Sequence, residues 1–197
     1  MDFESLKDFI LQTLKETLPG ILTYHNLEHT IEVLEACREF APEEGIQGED
    51  FTILLTAACM HDAGFLVQYI NNESIACAFA KKELPRFGYT QDNIDKVCRI
   101  IMATALLHSP SDILEKIIRD ADLSYLGTDS FFEKAALFRE ELSCQNIIYS
   151  DASWLEFELK FMESHSYFTD AAKKSRGPLK KKNTAKLKEL INLLDKE

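Results

Sequence analysis

The chain has 197 residues, 46% of them hydrophobic, and a formal net charge of -11. That length and hydrophobic share supply the core of one domain, or of one domain with a tail. The acidic balance excludes nucleic acid, whose phosphate backbone demands a basic surface, and no apolar run is long enough to cross a bilayer.

Only 7 Gly and 5 Pro occur and no alternating pattern is sustained, so helical periodicity implies an all-α fold. The spacing predicts helices near 3–18, 27–41, 50–64, 72–85, 91–107, 111–125, 129–145, 151–165 and 183–195. The breaks between them fall at Pro19-Gly20, Pro42 to Gly48, Pro85 to Gly88, Ser109-Pro110, Gly127 and Gly177-Pro178. The first residues, MDFESLKDFI, are acidic and amphipathic, unlike a signal peptide. Cys37, Cys59, Cys77, Cys98 and Cys144 show no C-x-x-C spacing and read as small core residues of a reducing, cytoplasmic protein. The lysine-rich stretch 173–188 reads as a solvated helix face, with attraction for an anionic ligand as the sharper alternative.

The most informative feature is the pair His61-Asp62, at the end of the run FTILLTAACM. A helix apolar on every side is buried. A buried imidazole beside a buried carboxylate needs partners, and a metal ion satisfies both. Two segments offer further ligands. Upstream, Asn26 caps a helix on which His29 shares a face with Val33, Ala36 and Phe40, so His29 points inward. His25 lies just before that helix, where it can reach a cleft rim. Downstream, Asp122 is in register with Ile118 and Tyr125 on the apolar side. Asp120 shares a face with Asp112 and Lys116 and reads as surface or supporting, and Glu115-Arg119 as an i,i+4 ion pair. Taken singly, His29 reads as a core histidine and His25 as a loop histidine, and an internal cap or ion pair is the alternative for Asp122. Together, His29, His61, Asp62 and Asp122 make a mixed imidazole and carboxylate set suited to Mn, Fe, Zn, Ni or Mg with water completing the shell.

The remaining candidates keep two readings each. His108, with Thr104 one turn before it, either enters the cleft, to bind a second metal or phosphate, or suits a helix C-terminus electrostatically. Glu73 either enters the cleft or is an ordinary first-turn glutamate. His165 reads as structural or surface. Trp154, Leu155, Phe157, Phe161 and Met162 form a core stripe, and Phe131, Phe132 and Phe138 read the same way.

The order H…HD…D on separate helices resembles the HD superfamily of metal-dependent phosphohydrolases over residues 20–140. The first motif, Tyr24-His25-Asn26-Leu27-Glu28-His29, is closer still to the Y-H-N-x-x-H of cyclic nucleotide phosphodiesterases. Asn72-Glu73-Ser74 and Ala121-Asp122-Leu123-Ser124 resemble their N-D-E-S and A-D-L-S segments. The resemblance implies a single multi-helix HD-type domain over 1–197, its C-terminal helices from 150 onward packing on the motif-bearing core. It implies His29, His61, Asp62 and Asp122 as ligands of one or two divalent ions, with Asp62 able to bridge. By the same resemblance His25 would be the general acid and Glu73 would hold a metal-bound water; Tyr24 and Asn26, with Thr104 and His108 on their cleft reading, are the expected substrate contacts. The chain departs from the phosphodiesterases after the dyad, where Ala63-Gly64-Phe65 replaces a longer histidine-containing segment. It also lacks their adjacent histidine pair and their glutamine-plus-aromatic clamp. The resemblance therefore carries the metal hydrolase without cyclic nucleotide specificity. The expected partner is a small phosphorylated substrate such as a nucleotide, with a homodimer left open. A non-catalytic nucleotide-sensing module and a di-iron oxygenase are the alternatives.

Overall fold

The structure, a computed structural model, describes residues 1–194. Those residues form nine α-helices and no strand: α1 (Phe3–Thr17), α2 (Leu27–Glu43), α3 (Gly48–Met60), α4 (Asn72–Glu83), α5 (Gln91–Met102), α6 (Ile113–Asp122), α7 (Phe131–Cys144), α8 (Asp151–Ser164) and α9 (Asp170–Leu194). Short 3-10 turns at Ala63–Leu66, Leu84–Phe87 and Ser124–Gly127 join some of them.

The all-apolar segment is the hub. Every residue from Ile53 to Met60 is buried, and α1, α2, α5 and α6 pack around α3. Each fully buried Leu or Ile there contributes about 1.5–3 kcal/mol of transfer free energy. A second apolar cluster joins α7, α8 and α9 to Tyr24, Tyr125 and Leu126. Tyr24, buried, puts this second cluster beside His29, with ring centroids 4.9 Å apart. Four of the five cysteines are buried, as expected, and Cys144 is exposed.

Three boundaries differ from the periodicity, each for a tertiary reason. Helix α3 stops at Met60, which places His61 and Asp62 in the turn beyond it. Helix α5 stops at Met102, not near 107. There the Arg119 guanidinium takes the carbonyls of Thr104 (2.9 Å) and Ala105 (2.8 Å), acting as a side-chain cap. Arg119 is therefore not the partner of Glu115, which pairs instead with Arg99 at 2.5 Å. Helix α9 begins at Asp170 and runs through Gly177-Pro178 without the expected break. Proline removes one helical hydrogen bond, but Pro178 is exposed, so water can serve the freed carbonyl. Anchors on both sides hold the axis: Arg176 pairs with Glu39 and stacks on Phe40, and Asn183 donates to the carbonyls of Leu126 and Thr128. Residue 195, the end of the predicted last helix, lies outside the described residues.

The start of α9 also corrects the reading of Asp120. This residue is fully buried, not superficial. Its carboxylate accepts from the Phe168 and Thr169 amides and from the Thr169 hydroxyl, the last two at 2.7 Å. Thr169 in turn caps α9 through Ala172 N. Asp120 thus ties the C-terminal helix to α6.

Candidate metal centre

Three helix ends converge on one point. Asn26 caps α2 by accepting from His29 N at 3.1 Å, and this fixes His29 in the first turn, facing inward. His61 and Asp62 follow the C-terminus of α3, and Asp122 is the last residue of α6. Two helix C-termini, each with a partial negative charge, therefore meet one N-terminus there, a balance that favours a cation.

The ligand atoms are correctly spaced for an ion. His29, His61 and Asp122 offer atoms all within 4.8 Å of one another. His29 Nε2 lies 3.1 Å from Asp122 Oδ1 and 3.4 Å from His61 Nε2, and His61 Nε2 lies 3.7 Å from Asp122 Oδ1. Asp62 Oδ2 meets the same two imidazoles at 3.2 and 3.4 Å. Bonds of about 2.0–2.2 Å to one ion separate neighbouring ligands by about 3.0–3.6 Å, depending on coordination geometry. His61 Nδ1 is bonded to the Ala58 carbonyl at 2.8 Å, which places a proton on Nδ1 and turns Nε2, the atom that would bind the ion, toward the cluster. Asp62 Oδ2 is buried and has no hydrogen-bond partner among the described residues. Two imidazole nitrogens and an orphaned carboxylate oxygen facing one another fit a divalent ion.

The electrostatics agree. Burial disfavours ionisation of Asp62, yet His61, His25 and His29 hold its carboxyl well below the usual range. Burial likewise opposes a charged His61, but the Asp62 carboxylate outweighs it and pushes its pKa up to about 9. The site is built to hold positive charge.

His25 stands beside this cluster with its own partner. Its Nδ1 lies 2.5 Å from Glu141 Oε1, and its ring stacks on Phe65 with centroids 4.5 Å apart. Glu141, on α7, is fully buried and saturated: Oε2 accepts the amides of Tyr24 and His25, each at 2.9 Å, and Oε1 also accepts Tyr69 Oη at 2.9 Å. Burial works against a charged imidazole, but Glu141 outweighs it and His25 holds its proton above the ordinary histidine range. Because Glu141 occupies Nδ1, Nε2 remains for the cleft. Sequence reasoning missed Glu141. Its one local signal is an acid three residues after Phe138 on the inward face of α7.

The other predicted residues are placed differently. Tyr24 is buried, its ring packed against His25, His29, Tyr125 and Phe138. Asn26 spends both side-chain groups on local bonds, to His29 N and the Thr23 carbonyl. Glu73, in the first turn of α4, makes no polar contact with the cluster among the described residues. Its neighbour Asn72 does, donating to Asp62 Oδ1 at 3.4 Å. Thr104 Oγ1 donates to the Ile101 carbonyl. His108 bonds Glu115 at 3.2 Å, in a network with Ser111 and Arg99. Burial opposes ionisation of Glu115, but these donors bring its pKa down to about 2. Neither Thr104 nor His108 makes a polar contact with the metal-site residues among the described residues.

Gly64, in the segment that departs from the phosphodiesterase pattern, has a steric task. A Cβ at this position would lie 1.8 Å from the Asn72 carbonyl oxygen. Glycine lets α4 start directly against the turn that carries Asp62, which brings Asn72 within reach of the carboxylate.

Comparison with known proteins accords with this geometry. The HD domain family model matches residues 26–124. No curated protein sequence matches the chain. A protein of Lactobacillus plantarum has the same fold at TM-score 0.70 and 18% identity, covering 99% of this chain and 97% of its own. Bacillus subtilis YpgQ, solved in complex with ADP, gives TM-score 0.67 and 20% identity over 100% and 96%. A predicted HD superfamily hydrolase from an uncultured Thermotogales bacterium gives 0.57 and 18% over 79% and 86%. The matched segment spans half the chain and holds His29, His61, Asp62 and Asp122, so the chain belongs to the HD domain family.

Proposed function

We propose that this protein is a metal-dependent phosphohydrolase that cleaves a phosphoester bond in a nucleotide or a related small phosphorylated metabolite. The observation that carries the reading is the orphaned Asp62 Oδ2 facing the nitrogens of His29 and His61, with Asp122 closing the group. His29, His61, Asp62 and Asp122 would hold the ion. When bound, a divalent ion supplies charge neutralisation at phosphate oxygens and a water of lowered pKa. His25 donates a proton from Nε2 to the leaving oxygen. Glu141 fixes the ring through Nδ1 and keeps it protonated, and Phe65 holds its plane. Asn72 orients the Asp62 carboxylate. The nucleotide class draws support from YpgQ, a fold relative solved with ADP.

The test is elemental mass spectrometry on protein purified without chelator or affinity metal, beside Asp62→Ala and Asp122→Ala. The expected result is about one or two equivalents of a divalent metal in the native protein, lost in both variants. A nucleoside mono-, di- and triphosphate screen with that metal should then release phosphate or pyrophosphate. No metal on isolation and none taken up on titration would overturn the reading. Tight nucleotide binding without turnover under any metal would favour a sensing module.

A further inference from the structure

Helix α7 has two working faces. One carries Phe138 and Glu141 toward His25. The other walls a separate cavity of about 530 Å³ between α7, α8 and α9. That size falls in the range of small-molecule sites, about 300–1,000 Å³. Its walls are apolar and aromatic: Phe132, Ile148, Tyr149, Trp154 and Leu155. Phe132 and Ile148 remain 36% and 83% exposed, so the mouth is greasy and open. The Phe138 ring separates this cavity from the metal centre, 6.2 Å from Trp154 on one side and 5.9 Å from His25 on the other.

One polar group in the lining is unexplained. Glu158, on α8, is 1% exposed, and its Oε2 is buried without a partner. Its carboxyl makes no hydrogen bond or ion pair among the described residues. A buried carboxyl in that state costs free energy, and a hydrophobic residue would fill the site more cheaply. Arg139 also lines the cavity but is engaged, donating to Asp151 at 2.8 Å and to the Tyr149 carbonyl at 2.6 Å. Glu140 adds a second acid at the lining. The unfilled demand is therefore for a donor, preferably cationic, attached to an apolar body that covers Trp154 and Tyr149.

We propose that this cavity is a second ligand site, specific for an organic amine with an aromatic or branched apolar body, whose ammonium group pairs with Glu158. The aromatic walls suit such a ligand twice, by apolar burial and by attraction of a cation to the ring faces. Burial alone pushes the Glu158 pKa up to about 7, so the carboxyl ionises readily when a cation arrives. The site is independent of any catalysis at the metal centre.

Trp154 is the chain's one tryptophan, and it lines this cavity, so intrinsic fluorescence reports occupancy directly. The probe is 2-phenylethylamine, titrated into the 197-residue chain, beside phenylacetate and 2-phenylethanol with the same ring. The expected result is a saturable change in Trp154 emission with Kd below about 1 mM for the amine, at least about tenfold weaker for the alcohol and absent for the acid. Glu158→Gln, with far-UV circular dichroism confirming the fold, should weaken the amine at least tenfold as well. No saturable signal up to about 10 mM amine would overturn the proposal. Equal binding of amine and acid, or unchanged binding by Glu158→Gln, would overturn it too, because the carboxyl would then play no part in recognition. The ligand series on unaltered protein decides the matter even if the variant fails to fold.

Discussion

At the scale of the residue, the proposed mechanism uses the pairing of His25 with Glu141 to separate proton transfer from metal holding. His25 touches no metal ligand through its ring nitrogens; its Nδ1 is committed to Glu141. His25→Ala should therefore lower turnover about a hundredfold or more while metal content stays at the native level. Equal loss of metal in that variant would contradict the division of roles. Glu141 acts through His25, so its signature is a pH profile. A general acid must be protonated, and activity falls as pH rises through its pKa. The Glu141 carboxylate raises that pKa. Glu141→Gln keeps the shape but removes the charge, so the alkaline limb of kcat should move to lower pH. A profile that drops in height without moving would make Glu141 a scaffold residue only.

At the scale of the element, the site depends on where helices stop and how closely they approach. Gly64→Ala should destabilise the fold by about 1–3 kcal/mol and reduce metal affinity, because the added methyl must push Asn72 and the start of α4 off the Asp62 turn. Urea unfolding and metal titration of the same variant check both halves; loss of stability with native metal affinity would mean the displacement stops short of Asp62. Asp120→Ala should cost about 2–3 kcal/mol by leaving the amides of Phe168 and Thr169 unserved, with metal retained. Metal loss there in place of Asp122→Ala would reverse the assignment of the two aspartates. Much of this was legible in the chain. The uniform apolarity before His61, the phase of His29 on α2 and the phase of Asp122 on α6 are local signals, and the side chains they single out do meet in one cluster. Glu141 was not legible, because its meaning lies in a bond to a residue 116 positions upstream. The contacts around His108 and Glu73 were hidden for the same reason: their spacing allowed a cleft role, and only the fold shows His108 bonded to Glu115 and Asn72, beside Glu73, reaching Asp62. Helix ends were misjudged where distant side chains, Arg119 and Asp120, supply the cap or the anchor.

At the scale of the whole molecule, the two apolar clusters differ in how completely their polar groups are served. Around the metal centre nearly every buried polar atom has a partner or a ligand to wait for. In the cluster of α7, α8 and α9, Glu158 has no partner among the described residues, and this has a thermodynamic consequence independent of any ligand. Its pKa rises from the ordinary 4.5 to about 7 by desolvation. The fold therefore prefers the neutral acid. Below pH 4.5 the carboxyl is protonated in both folded and unfolded chains and costs nothing through ionisation. As pH rises from 4.5 to 7 the unfolded chain releases its proton first, and stability falls; above 7 the loss is complete, on the order of 3 kcal/mol. The Glu158→Gln chain cannot ionise there. The difference in unfolding free energy between the two chains should shift in favour of the glutamine form by that order between pH 4.5 and 8, as measured by urea denaturation at each pH. Comparing the difference, and not either chain alone, cancels the titration of groups common to both. A difference that stays flat across that window would mean the carboxyl is hydrated in the folded protein, and that the cavity already serves it with water.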